Sequence, residues 1–110
     1  MAAWELRDYL TEAGRDPYAE WLAGLQDQTA RARVLARTQR LRAGAFGDCK
    51  PLRDGVWELR IDHGPGYRVY YAQAGRTLVL LLIGGDKRGQ QADIAMAVRF
   101  WKDFQERNTR

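Results

Sequence analysis

The sequence contains no serine, a single cysteine (Cys49) and a single histidine (His63). Without serine, a serine nucleophile is impossible on this chain. One cysteine rules out an internal disulfide, and one Cys with one His falls short of the four ligands of a structural zinc site. Cys49 would need a base to form its thiolate, and only His63 is on offer. A lone cysteine more commonly serves as a small buried hydrophobe. No apolar run nears the roughly 20 residues of a membrane span, and the longest, Leu78 to Ile83, is strand-sized. The first residues, Met1 to Arg7, show neither the charged start nor the apolar middle of a secretory signal. A cytoplasmic protein without membrane attachment is therefore expected.

What is present fits one domain over residues 1–110 with one modest core. Hydrophobic residues at 45% and charged residues at 29% are ordinary for a soluble globular protein. Eighteen Lys and Arg against fourteen Asp and Glu give a net charge of +4 and a pI near 9.6. Lysine stands only at 50, 87 and 102, so fifteen of the basic residues are arginine. The planar guanidinium fork matches phosphate oxygens in a bidentate way. A basic domain of this size points to a polyanion or an acidic protein partner.

Ala3 to Leu10 places Trp4 and Leu6 on one side and Glu5 and Arg7 on the other, a strand pattern. Gly14-Arg15-Asp16-Pro17 breaks it and opens a helix, with Asp16 as N-cap and Pro17 in the first turn. That helix carries Tyr18, Trp21, Leu22 and Leu25 on one face. A second helix follows Gln26-Asp27 and runs to about Arg42, with Val34, Leu35, Thr38 and Leu41 as its inner stripe. Arg31, Arg33, Arg37, Arg40 and Arg42 occupy its outer faces, and Gly44 to Gly47 ends it. The second half reads as a meander. Lys50 to Arg53 meets a hairpin turn at Asp54-Gly55. Val56 to Asp62 alternates Trp57, Leu59 and Ile61 inward with Glu58, Arg60 and Asp62 outward. Tyr67 to Gln73 aligns Tyr67, Val69 and Tyr71, and Thr77 to Ile83 is apolar enough for a central strand covered on both sides. Gly84 to Gly89 reads as a polar loop before a last helix from Gln90 to Arg107. The order β-α-α-β-β-β-β-α predicts an α+β domain, an antiparallel sheet with helices packed on it.

The turn at His63 to Gly66 fixes a register. With a loop from Asp62 to Gly66, Ile61 faces Tyr67 and Arg60 faces Arg68, both on the face opposite the core. Like charges directly opposed on a sheet cost about 0.2–1 kcal/mol. Two guanidiniums so placed need an acidic neighbour or an external anion. Glu58, diagonally across from Arg68, can supply the first. Tyr70 shares that face and is placed to stack on a base. The segment Gly84-Gly85-Asp86-Lys87-Arg88-Gly89-Gln90 adds positive charge before a helix start, a favourable place for anions. It lacks the glycine spacing and Lys-Ser/Thr pair of a P-loop and, taken by itself, reads more readily as a solvated connector. Glu58 and Asp62 share a face like a glycosidase pair, but their basic neighbours favour ion pairing. His63 lies in a loop where a histidine is ordinarily just solvated. Trp4, Trp21, Trp57 and Trp101 read as core.

The runs Trp57-Glu58-Leu59-Arg60, Gly66-Tyr67-Arg68-Val69-Tyr70-Tyr71 and Leu80-Leu81-Leu82-Ile83-Gly84-Gly85-Asp86-Lys87, followed by Gln90 and Asp93-Ile94-Ala97, resemble the RelE/ParE toxin superfamily. Within it the chain is most similar to the HigB-like branch, the phage Gp49-like addiction-module killer proteins. The resemblance spans nearly the whole chain. It implies a RelE-like fold whose sheet cups a basic face. It also implies a cognate helix-turn-helix antitoxin of the HigA kind, through which alone the toxin meets operator DNA. In the RelE and HigB branches the implied activity is ribosome-dependent cleavage of mRNA in the A site, with no metal and no cofactor. Carried over by motif, Arg68 is the phosphate-binding arginine of Gly-Tyr-Arg, and Arg60 is the basic residue of the preceding strand. Lys87, or Arg88 beside it, is the base after the last strand. Lys50, Arg53, Tyr70 and Arg88 are the candidate RNA contacts around the catalytic set Arg60, Arg68 and Lys87. Arg68 is expected to face outward, so that Arg68→Ala removes activity and spares the fold. One position departs: RelE has a tyrosine early in its last helix for proton transfer, and Ile94 stands there. Tyr70 or His63 substitutes, or the chemistry differs. The departure leaves open a ParE-like, non-enzymatic inhibition of DNA gyrase, and beside it a non-toxic nucleic-acid-binding module.

Overall fold

A computed structural model describes residues 3–109. Strand β1 (Glu5–Asp8) leads into helix α1 (Pro17–Gly24) and helix α2 (Gln28–Arg40). Strands β2 (Cys49–Pro51), β3 (Val56–Ile61), β4 (Tyr67–Ala74) and β5 (Leu78–Asp86) follow, and helix α3 (Gln90–Asn108) closes the chain. The predicted element order is therefore the observed one. Both early helices start on capping aspartates: Asp16 accepts from the Ala19 amide at 2.9 Å and Asp27 from the Ala30 amide at 3.2 Å. Among the described residues, no helix is long and apolar enough to cross a membrane.

The five strands form one sheet in the order β1-β5-β4-β3-β2. The meander β2 to β5 is antiparallel as expected, whereas β1 joins the far side of β5 in parallel. That placement makes β5 a central strand. Its alternate side chains feed two cores: Val79 and Leu81 pack with Leu59, Val69 and Tyr71 under α1 and α2. Leu80 and Leu82 pack with Val56, Tyr70 and Ala72 under Ala97, Val98 and Trp101 of α3. Each fully buried leucine contributes about 1.5–3 kcal/mol, so both faces of the sheet are committed to packing.

Three expectations are corrected here. The inner line of α2 is Ala30, Val34 and Thr38, continued by Leu41, while Leu35 is 48% exposed. A helix laid on a sheet buries a narrow stripe, and Leu35 sits about 100° around from Val34. The second correction is that Gly84, Gly85 and Asp86 belong to β5, not to a loop. A methyl group at Gly84 would land inside the Trp21 ring, and one at Gly85 on the Asp93 carboxylate. Two glycines let the strand continue between α1 and α3, and only Lys87–Gly89, a 3-10 turn, lies outside regular pairing. Finally, Glu58, assigned to the outer face of its strand, is fully buried. It does point away from the first core, but α3 covers the second face as well.

Candidate functional site: a cleft of arginine, lysine and carboxylate

The register of β3 and β4 sets Arg60 directly opposite Arg68 and Glu58 opposite Tyr70, as the turn arithmetic required. Glu58 resolves the clash of the two guanidiniums. Its Oε2 lies 3.0 Å from Arg60 Nε and its Oε1 3.4 Å from Arg68 Nε. The amide Nε2 of Gln90, the first residue of α3, donates to the same Oε1 at 2.8 Å. One buried carboxylate is thus shared by two arginines and clamped by the helix that covers it. Arg68 Nη1 also donates to the Gly66 carbonyl at 3.0 Å. The Arg68 side chain is only 13% exposed against 37% for Arg60, which corrects the expectation that it faces outward.

Above this trio opens a cleft of about 370 Å³ at the end of the sheet, walled by the β3–β4 turn. Arg60, Arg68 and Lys87 all line it, so the three residues named by the sequence come together. Lys87 is exposed and has no ion-pair partner among the described residues. Two carboxylates missed as site residues, Asp48 and Asp62, line the same cleft. Asp48 Oδ1 lies 4.0 Å from Arg60 Nε, and the Asp48 carbonyl accepts from the Arg60 amide at 2.9 Å. No periodic pattern marks Asp48, because a backbone bond from a strand twelve residues on brings it in. The sequence offers Asp62 only as half of a pair with Glu58, which the burial of Glu58 removes.

The remaining candidates lie around the cleft, not in it. Lys50 is exposed on the edge strand opposite Glu58, on the arginine face. Arg53 sits in the β2–β3 turn, paired with Asp54 at 3.2 Å. Arg88 is held by Asp86 at 2.8 Å and lines a separate recess at the start of α3; that bond and the Arg88 amide hold the Asp86 carboxyl below its ordinary value. Tyr70 is on the arginine face but completely buried, so it offers no ring for a base to stack on. Burial and the nearby Glu58 and Asp93 push its hydroxyl's pKa up. His63 is turned away to α2, with Nε2 at 3.1 Å from Asp27 Oδ2, where it lowers the pKa of that carboxyl. Ile94 packs into the core under α3, and Cys49 packs beside the first core. Among the described residues no group of three His, Cys, Asp or Glu side chains could hold a metal ion.

The chain is thus a three-layer α+β domain with guanidinium, ammonium and carboxylate groups gathered at the end of its sheet. Residues 20–99 match the family described as phage-derived Gp49-like protein, and the chain belongs to that family, part of the HigB/RelE-like toxin group. It is 49% identical over 80 residues to an uncharacterized protein of Haemophilus influenzae, covering 73% of this chain and 81% of the relative. The family match includes every residue of the cleft named above.

Proposed function

We propose that the protein is the toxin of a type II toxin–antitoxin pair and that it cuts mRNA in the ribosomal A site by metal-independent transesterification. The observation that carries this reading is the convergence of Arg60, Arg68 and Lys87 with Asp48 and Asp62 in one cleft. A surface that only bound a polyanion would gain nothing from two carboxylates there. A ribonuclease uses both kinds of group. Asp62 or Asp48 takes the 2′-hydroxyl proton, the 2′-oxygen bonds to phosphorus, and the P–O5′ bond breaks. The products are a 2′,3′-cyclic phosphate and a 5′-hydroxyl, with Lys87 or water protonating the leaving oxygen. Arg60, Arg68 and Lys87 face the charge that builds on the phosphate oxygens, a kind of contact whose loss costs about 10²–10³ in rate. Positioned proton transfer is worth roughly 10²–10⁴ more, and the ribosome supplies alignment of the 2′-oxygen. A HigA-like helix-turn-helix antitoxin is the partner that would cover this cleft.

One observation favours the ParE-like reading: neither a histidine nor a tyrosine reaches the cleft. The two separate on induction in a bacterial host, followed within minutes by primer extension and a plasmid-supercoiling assay. New transcript ends inside reading frames, lost in Lys87→Ala and Asp62→Asn, are the expected result. Both residues are exposed, so these variants test chemistry with little folding cost, as Arg68→Ala would not. Intact transcripts with inhibited gyrase would replace the nuclease by a gyrase inhibitor.

A further inference from the structure

The cleft does not end at the sheet. Ile61 and Asp62 also line a second groove of about 200 Å³ between the end of β3 and helix α2, whose other wall is Arg33, Ala36, Arg37 and Arg40. Helix α2 contains no Asp or Glu. Arg33, Arg37 and Arg40 recur at i, i+4 and i+7, so they form one stripe about 10 Å long. Like charges at i, i+4 cost a helix about 0.2–0.5 kcal/mol per pair, and no carboxylate among the described residues pairs with any of the three. Arg37 is tethered to neutral acceptors instead: its Nη atoms donate to the carbonyls of Phe46, Asp48 and Arg60 at 3.3, 3.3 and 3.1 Å. Those bonds fix its guanidinium against the strand that carries Arg60 and leave its charge uncompensated. Asp62, on the ridge between the two grooves, is the one carboxylate among the described residues that lines both.

We infer that the α2 groove is a second phosphate-binding site, which holds the RNA backbone where it runs on past the cleft. The inference rests on the RNA reading of the cleft for the identity of the polyanion. A strand leaving the cleft over Asp62 enters this groove directly, and the stripe is long enough to meet neighbouring phosphates. Among the described residues no aromatic side chain lines the groove, so the contact is with backbone and is indifferent to sequence. The backbone can belong to a single strand or to folded RNA, since both carry the same phosphates.

The test uses the full chain and a labelled, non-cleavable 2′-O-methyl oligonucleotide, read by fluorescence anisotropy over a potassium chloride series. The oligonucleotide is used single-stranded and as a duplex. R33Q/R40Q removes two exposed guanidiniums that hold nothing in the fold, and its melting temperature should match the parent. Affinity is expected to fall about tenfold at low salt, and the slope of log K against log salt to shrink by roughly 1.4 on the single strand. Loss on one form of the oligonucleotide alone identifies which RNA the groove holds. Unchanged affinity and slope in R33Q/R40Q, while Lys87→Ala weakens binding, would overturn the α2 site and leave the cleft reading standing. Unchanged binding in both variants would overturn the RNA reading itself. Intact RNA binding with loss of binding to polyglutamate would reassign the stripe to an acidic protein.

Discussion

Replacing Glu58 by glutamine keeps the shape of the side chain and removes its charge. The carboxylate is fully buried and meets the Nε atoms of Arg60 and Arg68 at 3.0 and 3.4 Å. In the variant, one amide oxygen must serve two guanidiniums and Gln90, and the new NH2 faces a positive charge. Arg60, 37% exposed, can turn to water, but Arg68, 13% exposed, is stranded. Breaking a buried pair by removing one partner costs about 3–5 kcal/mol, and the freedom of Arg60 places this case near ~3 kcal/mol. Against a total of roughly 5–15 kcal/mol for a domain, that is a large share. Urea unfolding should show it as a midpoint about 2 M lower, with m near 1.5 kcal/mol/M. Adding Arg68→Met to the variant takes away the stranded charge. The double variant should therefore be more stable than the sum of the two single losses by about 1–2 kcal/mol. A midpoint for Glu58→Gln within about 0.3 M of the parent, or strictly additive losses, would refute the claim that one carboxylate holds both arginines.

Gly84→Ala should cost about 2 kcal/mol, because Trp21 occupies the space of the new methyl. Scanning calorimetry would register this as a melting temperature about 10 °C lower, and no change would mean that Trp21 yields freely. A pH effect is expected at the end of β1, where burial and then the neighbouring Asp16 push the Asp8 carboxyl up to about 7. The folded state then binds a proton more tightly than the unfolded chain, so stability falls as pH rises from about 4 to about 7. Asp8 is half-buried and partly screened, so the loss at pH 8 is on the order of 1–2 kcal/mol. Asp8→Asn should recover it and flatten the stability profile in that window, and an unaltered slope would place the titration elsewhere.

The register of the site was legible from sequence because two clean alternations, Trp57 to Ile61 and Tyr67 to Tyr71, flank a Gly/Pro turn. That pattern alone places Arg60 against Arg68 and Glu58 on the diagonal. Strand alternation does not say how many of the two faces are covered. Glu58 and Tyr70 read as solvent-facing because the neighbouring Arg60–Arg68 pair on the same face suggests water, whereas α3 buries both. The pairing of β1 with β5 and the arrival of Asp48 beside Arg60 are long-range events with no local signature.

Gly84 and Gly85 show how such a gap displaces a functional residue as well as a boundary. Glycine is depleted in strands, so Gly-Gly-Asp-Lys reads as the start of a loop in which Lys87 could wander. The two glycines are there because Trp21 and Asp93 close in from opposite sides, and the strand they permit runs on until Asp86 pairs with Tyr67. Lys87 is then the first residue past the paired strand. It lines the same cleft as Gly66 and Arg68, and three residues later Gln90 clamps Glu58. Lengthening β5 by those residues therefore joins the lysine and both arginines to one rigid frame. A variant that frayed this strand end would loosen the cation set without touching any of its charges.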